Sequence, residues 1–295
     1  MGLFRRRKRF YFLHIPKTAG SSLGAALRSH YPPHEILNCT LNQLFQMPLS
    51  EVRKRRAYME HWGTGLFSLL DQPISTLTVL RDPFERTVSG IRFARRQHLP
   101  SEQPEIRDVF AGGDWNEIVN HPVASRLIEN TQCLHLGTQL DFRPFLASPP
   151  EGIARSPEAI PYLEYHWFRQ MQAGKIQMDQ VLKAAKSRLD QMEMVGIFEQ
   201  LEDTVQMACR FLGLRPPQSL PRERVSPEKD RDQHTKYRDS AGIPPEAIRR
   251  IDELTAFDRE LYEYARSRFQ RQLAESRRSF WPLSLWSTQR REKAS

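Results

Sequence analysis

The chain lacks the features that define several common protein classes. It has 295 residues but only three cysteines, at positions 39, 133 and 209. An odd and widely spaced set of cysteines forms neither a disulfide framework nor a zinc-binding pattern. No apolar run approaches the roughly 20 residues that a membrane-spanning helix needs. A disulfide-stapled domain and a helical membrane protein are therefore excluded, and a reducing compartment is favoured.

Recognisable nucleic-acid motifs are missing as well. The sequence has no RNP sequence, no zinc-finger spacing and no arginine-glycine repeat. Its net charge of +9 nevertheless suits a polyanionic ligand. The 39% apolar and 27% charged content are those of a globular protein. The length is enough for one large α/β domain or two small ones.

The most informative stretch lies near the start of the chain. Phe10 to Ile15 is an apolar, aromatic run typical of a buried strand, and Pro16 ends it. Leu23, Ala26 and Leu27 then recur at helical spacing. The turn between them predicts a phosphate site, because free backbone N–H groups and the positive end of the helix dipole meet there. Its candidate binding residues are Lys17, Thr18, Ala19, Gly20, Ser21 and Ser22.

This stretch is open to two other interpretations. A plain strand–loop–helix turn, capped by Ser21 or Ser22, needs no ligand. A Walker A loop would need its lysine after the glycines, whereas Lys17 precedes Gly20. An ordinary ATP or GTP hydrolase is therefore disfavoured.

A second stretch supports a doubly phosphorylated ligand. Thr76 to Leu80 is a β-rich run with Arg81 at its end. A helix follows, for which Asp82 is the predicted N-cap and Pro83 the first residue. Ser89 lies about two helical turns after Arg81. A guanidinium and a hydroxyl in this arrangement can hold a second phosphate.

These two stretches together resemble sulfotransferases, especially the group of heparan and chondroitin O-sulfotransferases. HIPKTAGSSL is similar to their 5′-phosphosulfate loop, and VLRDPFERTVSG to their 3′-phosphate motif. The resemblance implies the donor 3′-phosphoadenosine 5′-phosphosulfate (PAPS), bound by residues 17–22 and by Arg81 and Ser89. It continues weakly at 129–137, 195–202 and 251–265.

A candidate base ends the third predicted strand, Ala57 to Trp62. His61 stands there before a glycine-rich turn, and ligands of open α/β sheets bind at the carboxyl ends of strands. The resemblance implies a Gly-His pair at this point, with a catalytic histidine, but this chain has Glu60 in place of the glycine. Two bases are therefore open, His61 and Glu60, and strand alternation predicts that they face opposite sides. The ordinary imidazole pKa of about 6.5 would leave His61 largely neutral.

The predicted fold class is α/β, a P-loop-like, three-layer domain with a parallel sheet of about five strands. One domain is expected over residues 1–272, with a helical acceptor-side region at 99–174. A basic and aromatic tail at 273–295 is either disordered or in contact with a membrane surface. Two further predictions are a sugar-stacking or core aromatic cluster at 162–168 and a cofactor-covering or solvated loop at 215–239.

The predicted function is sulfuryl transfer from PAPS to a hydroxyl of a carbohydrate or glycoconjugate. Lys17 and His61 are the catalytic candidates, and no metal and no nucleic acid are expected to take part. Because the first strand starts near Phe10, no room is left for a leader, and a cytoplasmic enzyme is expected. The alternatives are an ATP-dependent phosphotransferase with Asp82 as metal ligand, and a non-enzymatic module that binds polyanions.

Overall fold

A computed structural model describes residues 7–96, 104–147, 177–218 and 242–278. These residues form a five-stranded parallel sheet with the strand order β2-β3-β1-β4-β5. The predicted α/β class and sheet are confirmed. The strands are β1 (Phe10–Leu13), β2 (Ile36–Leu37), β3 (Ala57–Glu60), β4 (Ser75–Leu80) and β5 (Met194–Ile197).

Helices connect and cover the strands. Their residues follow the apolar periodicity of the sequence, as in Leu23, Ala26 and Leu27, which are all buried in the first helix. The helices are α1 (Gly20–Arg28), α2 (Leu41–Gln46), α3 (Leu49–Lys54), α4 (Pro83–Arg96), α5 (Pro104–Gly112), α6 (Trp115–Asn120), α7 (Ala124–Ile128), α8 (Thr131–Gly137), α9 (Met178–Gln191), α10 (Leu201–Leu212), α11 (Pro245–Leu254) and α12 (Ala256–Arg278).

The central strand β1 places the first loop at the middle of the sheet. All four of its side chains are buried, which stabilises the fold by about 1.5–3 kcal/mol for each large apolar one. Leu13 lies opposite Glu60 of β3 and Thr78 of β4, so the carboxyl ends of these strands share one edge. From β1 the chain moves to β2 on one side, and from β4 to β5 on the other. The gap between β1 and β4 is therefore the topological switch point, where open α/β sheets bind ligands.

Two helix ends form as their sequences predict. The Asp82 carboxylate accepts a hydrogen bond of 3.0 Å from the backbone N–H of Glu85 and caps α4. Gly213 ends α10 with a φ of 70°, which a glycine adopts without steric cost. The cap at Asp82 matters for the site, because it fixes where α4 leaves the end of β4.

The apolar periodicity of Ile251, Leu254, Phe257, Leu261 and Tyr264 predicts a single long helix over residues 244–272, and this prediction is wrong. The chain breaks at Thr255 into α11 and α12, and α12 then continues to residue 278. The side-chain oxygen of Asn130 accepts hydrogen bonds from the backbone N–H groups of Phe257 (3.0 Å) and Asp258 (3.2 Å). These contacts cap the start of α12 from a distant part of the chain, which local periodicity cannot reveal.

Several predicted features lie outside the described residues. They are the aromatic cluster at 162–168, nearly all of the loop at 215–239 and the tail beyond residue 278. The described part of the acceptor-side region, residues 104–147, is helical, with α5 to α8. Among the described helices, none combines the length and the apolar character needed to cross a bilayer.

Candidate active site

The loop after β1 is held in an unusual backbone conformation. Lys17 and Ala19 have φ angles of 70° and 93°, in the left-handed region that most residues avoid. The buried hydroxyl of Thr18 donates a hydrogen bond of 2.8 Å to the backbone oxygen of Ile15. Conformations of this kind cost about 1–3 kcal/mol each and concentrate at binding sites. The loop thus folds back on itself and directs the chain into α1.

Helix α1 turns its first backbone N–H groups toward this loop. The helix begins at Gly20, its N-cap is Ala19, and no described side chain caps it. The first N–H groups of a helix have no acceptor within the helix, and the dipole makes this end positive. The interpretation that Ser21 or Ser22 caps the helix is therefore wrong. Residues 18–22 provide a position where an anion fits.

His14 belongs to this site, although sequence reasoning missed it. A Cβ atom on Gly20 would lie 1.5 Å from Nε2 of His14, so the imidazole packs directly against the first turn of α1. The φ of Gly20 is not in the left-handed region, so this glycine is required by close approach rather than by backbone freedom. The sequence signal for this contact is the glycine itself, which starts a helix where no left-handed turn requires one.

Lys17 connects the first loop to α4. Its ammonium lies 4.0 Å from the ring centroid of Phe93, within the range of a cation–π interaction. Its Cγ would lie 3.9 Å from a Cβ on Gly90, so the side chain runs along α4, the helix on which Ser89 is partly buried. The backbone oxygen of Lys17 also accepts a hydrogen bond of 3.2 Å from Nη1 of Arg81. The two predicted phosphate motifs therefore meet in space.

Arg81 is buried with donors that have no described acceptor. Its side chain is 4% exposed and stacks on Phe198, 4.3 Å from the ring centroid. Among the described residues, nothing accepts a hydrogen bond from its Nε or Nη2, and the Glu85 carboxylate is 3.6 Å from Nη2. Burial lowers the pKa of the guanidinium, which stays charged at neutral pH. A phosphate at this position would satisfy donors that are costly to bury unpaired.

Gln132 holds the backbone of Arg81, a role that sequence reasoning missed although residues 129–137 belong to the family resemblance. Its amide nitrogen donates to the Arg81 oxygen (2.9 Å), and its amide oxygen accepts from the Arg81 N–H (3.0 Å). The buried carboxylate of Asp258 in turn accepts from the backbone N–H groups of Gln132 and Cys133, at 3.0 and 2.7 Å. Helices α8 and α12 thus fix the end of β4. The Gln132 side chain is fully buried, and a buried amide needs hydrogen-bond partners such as these.

His61, Glu60 and His14 converge beside the first loop. Nε2 of His61 is 3.5 Å from Oε1 of Glu60, and the His14 and His61 ring centroids are 4.0 Å apart. The expectation that Glu60 and His61 face opposite sides is wrong. Because β3 ends at Glu60, His61 lies outside the strand, and the rule that successive side chains alternate between the faces of the sheet does not apply to it. The backbone N–H of His61 even donates to the Glu60 carboxylate, at 3.1 Å.

Hydrogen bonding and burial determine the protonation state of this cluster. Nδ1 of His61 lies 2.9 Å from the backbone oxygen of His14, and a carbonyl can only accept, so Nδ1 carries the proton. Burial lowers the pKa of His61 to about 4, so Nε2 is unprotonated at neutral pH. Burial raises the pKa of Glu60 to about 7. The neutral imidazole can therefore accept a proton at Nε2.

The family of the chain follows from its match to a known family model. The model of the sulfotransferase family matches residues 3–265, nearly the whole chain. The chain belongs to the sulfotransferase family. Among curated proteins, none matches this sulfotransferase. Membership implies transfer of a sulfuryl group from a sulfonate donor. The two stretches for which the sequence predicts phosphate binding lie together at the switch point of the sheet of this sulfotransferase.

Proposed function

We propose that this sulfotransferase uses PAPS as its donor and transfers the sulfuryl group to a hydroxyl of a carbohydrate or glycoconjugate. The observation that best supports PAPS as the donor is that two candidate anion positions lie side by side at one edge of the sheet. The start of α1, which no described side chain caps, suits the 5′-phosphosulfate together with Lys17. The Arg81 donors that find no acceptor among the described residues suit the 3′-phosphate. The acceptor class rests on the resemblance to carbohydrate O-sulfotransferases and on the positive net charge.

The proposed reaction needs a base and a stabiliser of the leaving oxygen. Nε2 of His61 takes the proton of the acceptor hydroxyl while that oxygen forms a bond to sulfur. The bond between sulfur and the 5′-phosphate oxygen breaks, and the Lys17 ammonium stabilises the charge that develops on that oxygen. Glu60 lies 3.5 Å from Nε2 and, when ionised, stabilises the imidazolium that results. The nearby loops supply the remaining rate by positioning both substrates.

The phosphotransferase alternative is weakened by the use of Asp82. Its carboxylate caps α4 through the N–H of Glu85 and so serves the helix rather than a magnesium ion. The polyanion-binding alternative predicts binding that falls steeply with salt and does not depend on Lys17 or Ser89 in particular, and such binding would tolerate loss of Arg81 as well. The mutations described below therefore separate it from the proposed enzyme.

The pH dependence is expected to identify the base. In metal-free buffer, kcat/KM for the donor should fall only as the pH drops through about 4, because the His61 imidazole must be unprotonated and its pKa is about 4. The fall of kcat at low pH should begin at a higher pH than the fall of kcat/KM, because the bound anionic donor stabilises the imidazolium and so raises the pKa of His61. Circular dichroism over the same range would show whether acid unfolding contributes. A kcat/KM limb near 7 that disappears in Glu60→Gln would show instead that the carboxylate, whose pKa is about 7, is the base.

Gln132→Leu is expected to weaken donor binding through Arg81. The buried N–H and C=O of Arg81 would lose their partners, at a cost of about 1–3 kcal/mol each in the free energy of unfolding. The affinity for adenosine 3′,5′-bisphosphate should fall more than that for AMP, because only the former has a 3′-phosphate. Calorimetry measures both, and Gln206→Leu, at an exposed position of α10, is the control for the substitution itself. Equal losses for the two nucleotides would mean that Gln132 stabilises the fold without positioning Arg81.

A further inference from the structure

His14, Glu60 and His61 offer one ligand atom each within a small volume. These atoms all lie within 4.8 Å of one another, and each of the three side chains is partly buried. Around a tetrahedral zinc ion, with bonds of about 2.0–2.2 Å, ligand atoms are about 3.3–3.6 Å apart. The 3.5 Å between Oε1 of Glu60 and Nε2 of His61 already fits this spacing. Small side-chain rotations would complete a three-ligand site.

A second contact orients His61 as a ligand. Its Nδ1–H donates to the backbone oxygen of His14 at 2.9 Å, so Nε2 presents its lone pair toward Glu60. Metal-binding histidines usually have this arrangement, in which the second ring N–H donates to a carbonyl or carboxylate. The His61 and Glu60 side chains are each 12% exposed, so the site is sheltered yet reachable from solvent.

We propose that His14, Glu60 and His61 bind a divalent cation of the zinc class, and that this ion withholds His61 from the acceptor. Two imidazoles and a carboxylate suit Zn²⁺, whereas Mg²⁺ prefers oxygen ligands. Coordination occupies the lone pair of Nε2, which then cannot take a proton. The cation is thus an inhibitor rather than a cofactor. The inhibitory half of the proposal rests on the proposed role of His61, but the binding half does not.

The test begins with binding, measured on the chelator-treated full chain. Calorimetry with Zn²⁺ should show one ion per chain, and Co²⁺ should give the visible absorption bands of low-coordinate cobalt. Millimolar Mg²⁺ should not compete. His14→Phe keeps a planar ring but removes both nitrogens, and it should lower the Zn²⁺ affinity more than about 100-fold, since even an outer-shell loss costs about 10–100-fold. His34→Ala, at an exposed histidine, is the control for adventitious binding and should match the wild type.

The second readout is the inhibition of sulfuryl transfer. Zn²⁺ should inhibit the wild type at the concentration at which it binds, and His14→Phe, compared with its own metal-free rate, should resist. His14→Gln serves the same purpose if the phenylalanine does not fit against Gly20. Zinc affinity unchanged in both His14 variants would overturn the inference and leave the proposed function standing. Tight binding at the cluster with unchanged turnover would overturn the inhibitory claim and, with it, the role of His61 as base.

Discussion

Replacing His61 by alanine is expected to lower kcat by about 10²–10⁴, because a positioned general base contributes that factor. The affinity for adenosine 3′,5′-bisphosphate should stay near that of the wild type, since His61 contacts His14 and Glu60 rather than Arg81. Glu60→Gln should be milder, because it removes only the charge that stabilises the imidazolium. Turnover of each variant and calorimetry with the bisphosphate are the measurements.

His121→Ala is the control for the general effect of removing a partly buried imidazole ring. His121 is partly buried between α6 and α7, away from the cluster, and its ring accepts hydrogen bonds from Val123 and Ala124. This variant should lose stability but keep its turnover. Near-normal activity in His61→Ala, together with inactivity of Glu60→Gln, would show that the carboxylate is the base. If both variants remain active, the base lies elsewhere and the mechanism is wrong.

Arg81→Ala is expected to remove most of the preference for a 3′-phosphate. The loss of a charge-assisted pair costs about 2–4 kcal/mol, which corresponds to a roughly 30- to 1000-fold drop in affinity for adenosine 3′,5′-bisphosphate. AMP lacks the 3′-phosphate, so its affinity should change little. The ratio of the two affinities, measured by calorimetry, is the diagnostic quantity. Arg81→Lys should recover part of the ratio, because lysine supplies the charge without the bidentate geometry.

An arginine outside this network supplies the control for Arg81. Arg268 of α12 is partly buried and donates a hydrogen bond of 2.7 Å to the backbone oxygen of Met192, which precedes β5. Arg268→Ala should lower the free energy of unfolding while the ratio of affinities stays that of the wild type. A fall in the ratio for Arg268→Ala, or none for Arg81→Ala, would contradict the assignment of the 3′-phosphate position.

The strands, and the strand–turn–helix form of the two proposed phosphate motifs, could be predicted because their signals are local. Pro16 ends an apolar run, and Asp82 with Pro83 starts a helix, so each motif is a strand, a turn and a helix start. Parallel strands place their carboxyl ends at one edge, which brings Lys17 and Arg81 together without further information. The order of strands and helices along the chain was therefore enough to predict that these two residues lie close together.

The rest of the site depends on contacts between distant segments. Gln132 and Asp258 are 126 residues apart, yet together they hold Arg81. Two further contacts form just beyond strand ends, where side chains no longer alternate between the faces of the sheet. They are the packing of His14 on Gly20 and the approach of Glu60 to His61. Burial then moves the pKa values of both bases, and burial is a property of the whole fold.

The most direct test of the donor is calorimetry of the wild-type chain with adenosine 3′,5′-bisphosphate, in parallel with ATP and Mg²⁺. The 3′-phosphate should meet Arg81 and the 5′-phosphate the start of α1, so the bisphosphate should bind without metal and far more tightly than ATP with Mg²⁺. Tighter binding of ATP that depends on Mg²⁺, with weak binding of the bisphosphate, would contradict the account and favour a phosphotransferase.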